Sequence, residues 1–265
     1  MINEKRSIVY YWLGPQRVYL ITGAKNAQEV LRSAGHFGNE ELVLRVLPQL
    51  DGVTKKDVQA YKNDRSGRGQ KPLDNTPEQD RIWAPSQKII TDHLSSSAAT
   101  ATMMEKFSEL MTDVFQKRPQ GEWETLSLWQ FVRTELVEAA IVALAGTKLM
   151  ELNPGFVEAL WAYDDSIYPL LFGVPQFLYK KGYEKRDRFH EMGERWQEYA
   201  FANYDFDGPD DDWEEIFGTR FVRLHAKLLK EKGFDRRSRS GMALGAIWSY
   251  VICCYCVVHF TNATG

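Results

Sequence analysis

From Asp80 onward, apolar residues recur three and four positions apart in one stretch after another. That period puts them on one face of a helix, and such a face must be buried against another of its kind. The clearest case is Ala98–Lys117, where Met103, Met104, Phe107, Leu110, Met111, Val114 and Phe115 fall at helical spacing. Asp80–Ser97 carries Ile82, Trp83, Ile89, Ile90 and Leu94, with Pro85 near the start, where a first turn tolerates it. The period predicts further helices over Ser127–Met150, Asn153–Leu171, Tyr183–Tyr199, Trp213–Lys232 (closed by Gly233) and Ser238–Phe260, with a break at Gly173-Val174-Pro175. The charged run Glu184–Arg188 predicts a solvated helix face.

The chain begins differently. Ile8–Leu13 and Arg17–Thr22 are rich in β-branched and aromatic residues and flank Gly14-Pro15, which predicts a β-hairpin. Ala24–Ser33 reads as a short helix with Ala27, Val30 and Leu31 on one face. Gly52–Pro77 is polar and punctuated by Gly and Pro, and predicts a long loop. The acidic stretch at 205–212 predicts a linker that caps the helix after it. Its Asp spacing lacks the Gly at the sixth place and the Glu at the twelfth that a calcium loop needs. The expected fold class is mainly α with a small N-terminal β-hairpin, in one domain.

A chain of 265 residues can bury a large core, and its 8 Trp, 12 Tyr and 14 Phe imply such a core or an apolar pocket. The net charge of −3, with no basic stripe, leaves no electrostatic footprint for nucleic acid, which is not expected as a partner. Gly14, Pro15, Gln16 and Arg17 interrupt the N-terminal apolar residues, so no signal peptide is read. Cysteine is missing until Cys253, so no disulfide framework is expected, which suits a reducing compartment.

The three cysteines, Cys253, Cys254 and Cys256, form a C-x-x-C with His259 nearby. Zinc sites need four ligands, usually as two separated pairs, and c-type haem attachment needs His where Val257 stands. No metal or redox site is therefore expected there. Gly241–Val258 carries no charge and is at the threshold length for a membrane span. Gly241, Gly245, Ser249 and Tyr250 lower its hydrophobicity, which favours a buried helix over a tail anchor. His36, His93, His190, His225 and His259 form no H-E-x-x-H pair, and Ser66 and Ser240 lack a G-x-S-x-G frame. His93 and the Asp164-Asp165 pair read as surface residues. The residues alone give no complete catalytic set.

Several stretches, in order, resemble cytochromes P450. IVYYWLGPQRVYLITGAKNAQEVLRS resembles the first hairpin and following helix, and DGVTKKDVQAYKNDRSG a loop over the substrate pocket. DRIWAPSQKIITDHLS resembles the helix whose Trp lies near the haem propionates. The stretch from Asn153 to Trp196 resembles the paired helices that roof the pocket, and Gly218–Ser249 the approach to the long central helix. The branch it resembles is fungal, similar to sterol hydroxylases and prostacyclin synthase.

The resemblance implies a partial P450 domain over 1–249 and a non-homologous tail over 250–265. It implies a haem cofactor, a small apolar, sterol-like or secondary-metabolite substrate, a reductase partner and a place in the cytoplasm or on the endoplasmic-reticulum membrane. It puts Trp83 on the haem-propionate side, with Arg81 beside it, because Gln87 stands where the family has Arg. The family's E-x-x-R and haem-cysteine loop are not found, so the chain reads as a truncated, inactive form. The alternative is a non-enzymatic helical protein that uses Gly241–Val258 for membrane or partner binding.

Overall fold

The computed structural model describes residues 8–13, 16–33, 40–95, 97–119, 121 and 123–262. The chain divides into two compact units, Met1–Val43 and Leu44–Gly265. In the first, strands β1 (Ile8–Leu13) and β2 (Gln16–Ile21) form the expected hairpin. They pair antiparallel, Tyr10 opposite Tyr19 and Trp12 opposite Arg17. The Arg17 guanidinium lies over the Tyr10 and Trp12 rings at 5.5 and 5.1 Å, a cation–π contact that ties the strands on one face. Helix α1 (Ala24–Arg32) follows, opened by a hydrogen bond from the Asn26 side chain to Thr22 O.

Helix α2 (Glu40–Gln49) leads into the second unit, a stack of helices with its core on α7 (Val137–Ala145), α9 (Phe156–Asp164), α11 (Lys180–Asn203) and α13 (Arg236–Asn262). Helix α7 is buried on nearly every side, from Val137 through Ala145 apart from Glu138. Its run of Ala and Val lets neighbouring backbones approach closely, so α5 (Ser97–Gln116) and α13 both pack on it. Phe189 of α11 stacks on Tyr163 of α9 at 5.0 Å and lies 5.2 Å from Phe156. Leu244, Ile247 and Val251 of α13 are fully buried in the same core. Helix α13 runs unbroken past Ser249.

Four readings change. The stretch read as one loop at 52–77 contains α3 (Lys55–Asn63), whose N-cap Thr54 accepts from Asp57 N and whose Val58 and Tyr61 are buried. Ser127–Met150 is not one helix. It starts as α6 (Leu128–Phe131), widens to a π turn at Val132–Leu136, continues as α7 and breaks at Gly146 before α8 (Thr147–Glu151). Asn153–Leu171 divides at Asp165-Ser166 into α9 and α10 (Ile167–Leu171). Trp213–Lys232 is helical only as α12 (Arg220–Glu231), preceded by two short strands, β3 (Trp213–Glu214) and β4 (Gly218–Thr219).

The reason for the last change lies outside that segment. Trp213 Nε1 donates to Ala143 O at 2.9 Å, Thr219 Oγ1 to Leu144 O at 2.9 Å, and Lys148 N to Glu215 O at 3.0 Å. The first two bonds satisfy carbonyls at the end of α7, the third an N–H at the start of α8, and together they hold 213–219 as a tight turn rather than a helix. The acidic stretch therefore does not cap a helix. Asp210 instead binds Arg223 at 2.6 Å and Arg220 at 3.0 Å.

The junction depends on two glycines. Gly146 has φ +82°, and a Cβ there would lie 2.3 Å from Glu215 O and 2.8 Å from Gly218 N. A Cβ on Gly218 would lie 2.4 Å from Gly146 N. Both the backbone conformation and the space exclude a side chain. Gly146→Ala is expected to destabilise the second unit by about 1–3 kcal/mol, read as a lowered urea midpoint. An unchanged midpoint would show that this junction does not carry stability.

Candidate functional site

The two site residues expected from sequence lie where α3, the 64–73 loop and α4 (Trp83–Leu94) meet. Asp64 organises this point. Its Oδ1 accepts from Ser66 N at 3.0 Å and Ser66 Oγ at 2.6 Å. Its Oδ2 accepts from Ile82 N at 2.6 Å and Trp83 N at 2.9 Å. The last two donors are backbone N–H groups at the start of α4, so one buried carboxylate caps that helix and folds the loop onto it. Burial alone would raise the Asp64 carboxyl, but the bonds from Ser66, Ile82 and Trp83 outweigh it and hold it below the usual range.

Arg81 is 2% exposed. Its Nε donates to Ser66 Oγ at 3.0 Å and its Nη1 to Gln70 O at 2.9 Å and Glu78 Oε2 at 3.1 Å. Its Nη2 donates to Gly69 O at 2.5 Å. Of five guanidinium N–H groups, one remains uncommitted. Trp83 is also buried, its Nε1 donating to Tyr61 O at 3.1 Å and its ring meeting Tyr61 edge-on at 4.9 Å. The structure thus brings Arg81 and Trp83 to one place.

Beside them runs a groove of ≈ 510 Å³, lined among others by Arg68, Arg81, Gln87, Lys88 and Thr91. The Arg68 guanidinium lies 4.8 Å over the Trp83 ring, and its Nη1 donates to Gln87 Oε1 at 3.3 Å. The carboxylates of Glu78 and Asp92 also line the groove and pair with Arg81 and Lys88. The guanidinium and amide donors of Arg68, Arg81 and Gln87 are of the kind that binds the carboxylates that haem carries. Sequence reasoning missed Arg68. It lies in a loop whose fold onto α4 is set by Asp64, and no local pattern announces that contact.

The other candidates fall elsewhere. The side chains of Cys253, Cys254, Cys256 and His259 lie outside the described residues, and no group of His, Cys, Asp and Glu able to hold a metal ion occurs among the described ones. No helix among the described residues is long and apolar enough to cross a membrane. His93 is half-buried rather than on the open surface, on a groove that Thr219, Arg220 and Phe221 also line. Asp164 is not a plain surface group. It is half-buried, accepts from Trp248 Nε1 at 2.9 Å, and burial pushes its carboxyl above the ordinary range. The charged face of α11 is solvated only in part, since Arg186 is largely buried and donates to Gln49 O at 3.1 Å.

Asp64→Asn should cost about 1–3 kcal/mol, because an amide cannot accept from all four donors. The wild-type carboxylate, depressed in the fold, contributes stability above the ordinary Asp range and loses it as pH falls through that depressed value. Thermal melts of the two proteins should therefore differ most at neutral pH and converge under strong acid. A constant difference at all pH values would show that the charge plays no part.

The chain is 32% identical over 247 residues to the cytochrome P450 monooxygenase calL of Penicillium decumbens, covering 91% of this chain and 46% of that one. It is 34% identical over 134 residues to the cytochrome P450 monooxygenase fsoE of Humicola fuscoatra, covering 49% and 23%. With the cytochrome P450 monooxygenase efuG of Hormonema carpetanum it shares 30% over 132 residues, covering 48% and 23%. No family model and no solved structure matches. The chain spans about half the length of the first of these relatives. The hairpin, the helical stack and this shared sequence agree: the chain is a partial relative of the fungal cytochrome P450 monooxygenases.

Proposed function

We propose that this chain forms the N-terminal, pocket-roofing part of a haem-thiolate monooxygenase that oxidises an apolar substrate, of the sterol or secondary-metabolite kind, with electrons from a reductase. The observation that carries the reading is the 32% identity to the Penicillium relative across 91% of the chain. The apolar core of α9, α11 and α13 and the donor-lined groove beside Trp83 support it. The thiolate ligand is assigned to the part of the relatives that this chain does not cover.

Haem, when bound, would supply the oxidation chemistry, and the protein would supply binding, orientation and exclusion of water. Arg68, Arg81 and Gln87 would hold the carboxylate edge of the haem. Trp83 would brace Arg68 through its ring face, and Asp64 would keep the loop and α4 in register. The alternative, a membrane or partner role for Gly241–Val258, is not favoured, because Ala243, Leu244, Ile247 and Val251 are buried in the chain's own core.

The test begins with the transcript across the codons for Ser249 and Tyr250, and with haem titration of the 1–265 chain and of any longer product. A longer product with a thiolate-ligated haem spectrum is expected. Arg68→Ala in it should weaken haem retention roughly tenfold, the loss of one charge-assisted hydrogen bond. A product that includes the second half of the relatives yet takes up no haem would overturn the reading.

A further inference from the structure

The turn after α2 packs against the central helix α13 in an unusual way. A Cβ on Gly241 would lie 1.7 Å from Asp51 O, and a Cβ on Gly245 would lie 2.4 Å from Asp51 Oδ1. The backbone and the carboxyl of Asp51 thus occupy the notch that these two glycines leave, one helical turn apart on α13. The turn is closed on its other side as well. Gly52 has φ +62°, and a Cβ there would lie 2.8 Å from His190 Nδ1. Two hydrogen bonds complete the seat: Val53 N to Leu47 O at 2.9 Å and Thr54 N to Ser238 Oγ on α13 at 3.0 Å.

Asp51 is 8% exposed, and no described residue donates a hydrogen bond to its carboxyl. An ionised carboxylate without a donor is costly in such a place. The surrounding titratable groups do not relieve it. Tyr61 of α3 and Tyr163 of α9 are buried phenols, both held above their ordinary range by burial first and by Asp51 second in order for Tyr163. His190 of α11 is 1% exposed and neutral, pushed down to about 3 by burial and then by Arg237 and Arg186. Those two cations are engaged by Asp187, Arg186 at 3.0 Å and Arg237 at 2.6 Å, and Arg237 also faces Glu194 at 3.5 Å.

We infer that the Asp51–Gly52 turn is a latch that holds the α2–α3 connection on α13 while the Asp51 carboxyl is protonated, and that deprotonation releases it. Burial pushes that carboxyl up from 3.8 to about 8 when seated. The released carboxyl returns to the ordinary value near 3.8. A group raised in the closed state stabilises that state fully below its open-state value and loses this as pH rises through the closed-state value. The Asp51 contribution therefore makes opening easier, by about tenfold per pH unit, across the window from about 4 to about 8, and levels off above it. His190 acts with the opposite sign, since its depressed value favours the seat above its ordinary range and loses it on acidification. Asp51 can be tested separately by a variant that leaves His190 in place.

Amide exchange at Val53 and Thr54 in the full chain reads the latch, corrected for intrinsic exchange and referenced to core amides of α7. Above the ordinary His190 value of 6.5, where Asp51 acts alone, protection should fall by about tenfold per unit up to pH 8, and Asp51→Asn should abolish that slope. A flat wild-type profile, or the same slope in Asp51→Asn, overturns the inference. If that variant does not fold, the wild-type Asp51 carboxyl carbon is followed by NMR. A midpoint near 8 is expected, and one near 4 overturns it. Gly245→Ala should open the latch at every pH, because its Cβ meets the carboxyl; retained protection there would show that the carboxyl is not the seat.

Discussion

Burial of helix faces on one another is the constraint on which the second unit depends. Helix α7 shows this most directly, because its Ala- and Val-rich surface is enclosed on nearly every side and other helices pack on it. Aromatic contacts between α9 and α11 continue the same core. Such packing is cooperative, since a helix of this length is marginal alone and is held by its neighbours. The small side chains also make the arrangement exacting: Gly146 and Gly218 meet backbone to backbone, and neither site has room for a Cβ.

Where the apolar faces end, buried polar groups decide how the connections run. Asp64 satisfies the first N–H groups of α4 and draws in the loop that carries Arg68, and Arg81 then binds the carbonyls of that loop. One carboxylate and one guanidinium thus give an otherwise irregular stretch a single shape, because a buried donor or acceptor left unpaired costs more than the bond it makes is worth. Asp51 is the contrasting case: a buried carboxyl with a seat but no donor. Burial raises one and hydrogen bonds lower the other, so two Asp residues in the same unit respond to pH with opposite signs.

The helical periodicity in the sequence made most elements legible. The hairpin, α1, α5 and the helical span of α13 lie close to where the pattern puts them, because propensity and burial agree there. The failures have physical causes. Helix α3 was hidden in a polar stretch because Val58 and Tyr61 are its only buried apolar residues, although Thr54 and Asp57 already formed a capping pair. The 213–219 turn has helical spacing but is held by carbonyls of α7 that are distant in sequence. At the site, Trp83 and Arg81 were named through the resemblance to cytochromes P450, whereas Arg68 was not, because its place over the Trp83 ring depends on a loop fold that no local spacing announces.

The sequence by itself determined the helical class, the opening hairpin and the kinship with fungal P450 monooxygenases, because each of these is written in local spacing or in residue order. The tertiary structure alone decided which charges are buried and what each one touches. Asp51 and Asp64 are indistinguishable as letters, thirteen or so positions apart on a polar stretch. Only the packing of α13 against one, and the N-terminus of α4 against the other, makes the first a raised, donorless acid and the second a depressed helix cap. Dielectric and hydrogen-bond geometry are properties of the neighbours, and those neighbours are brought in from far along the chain.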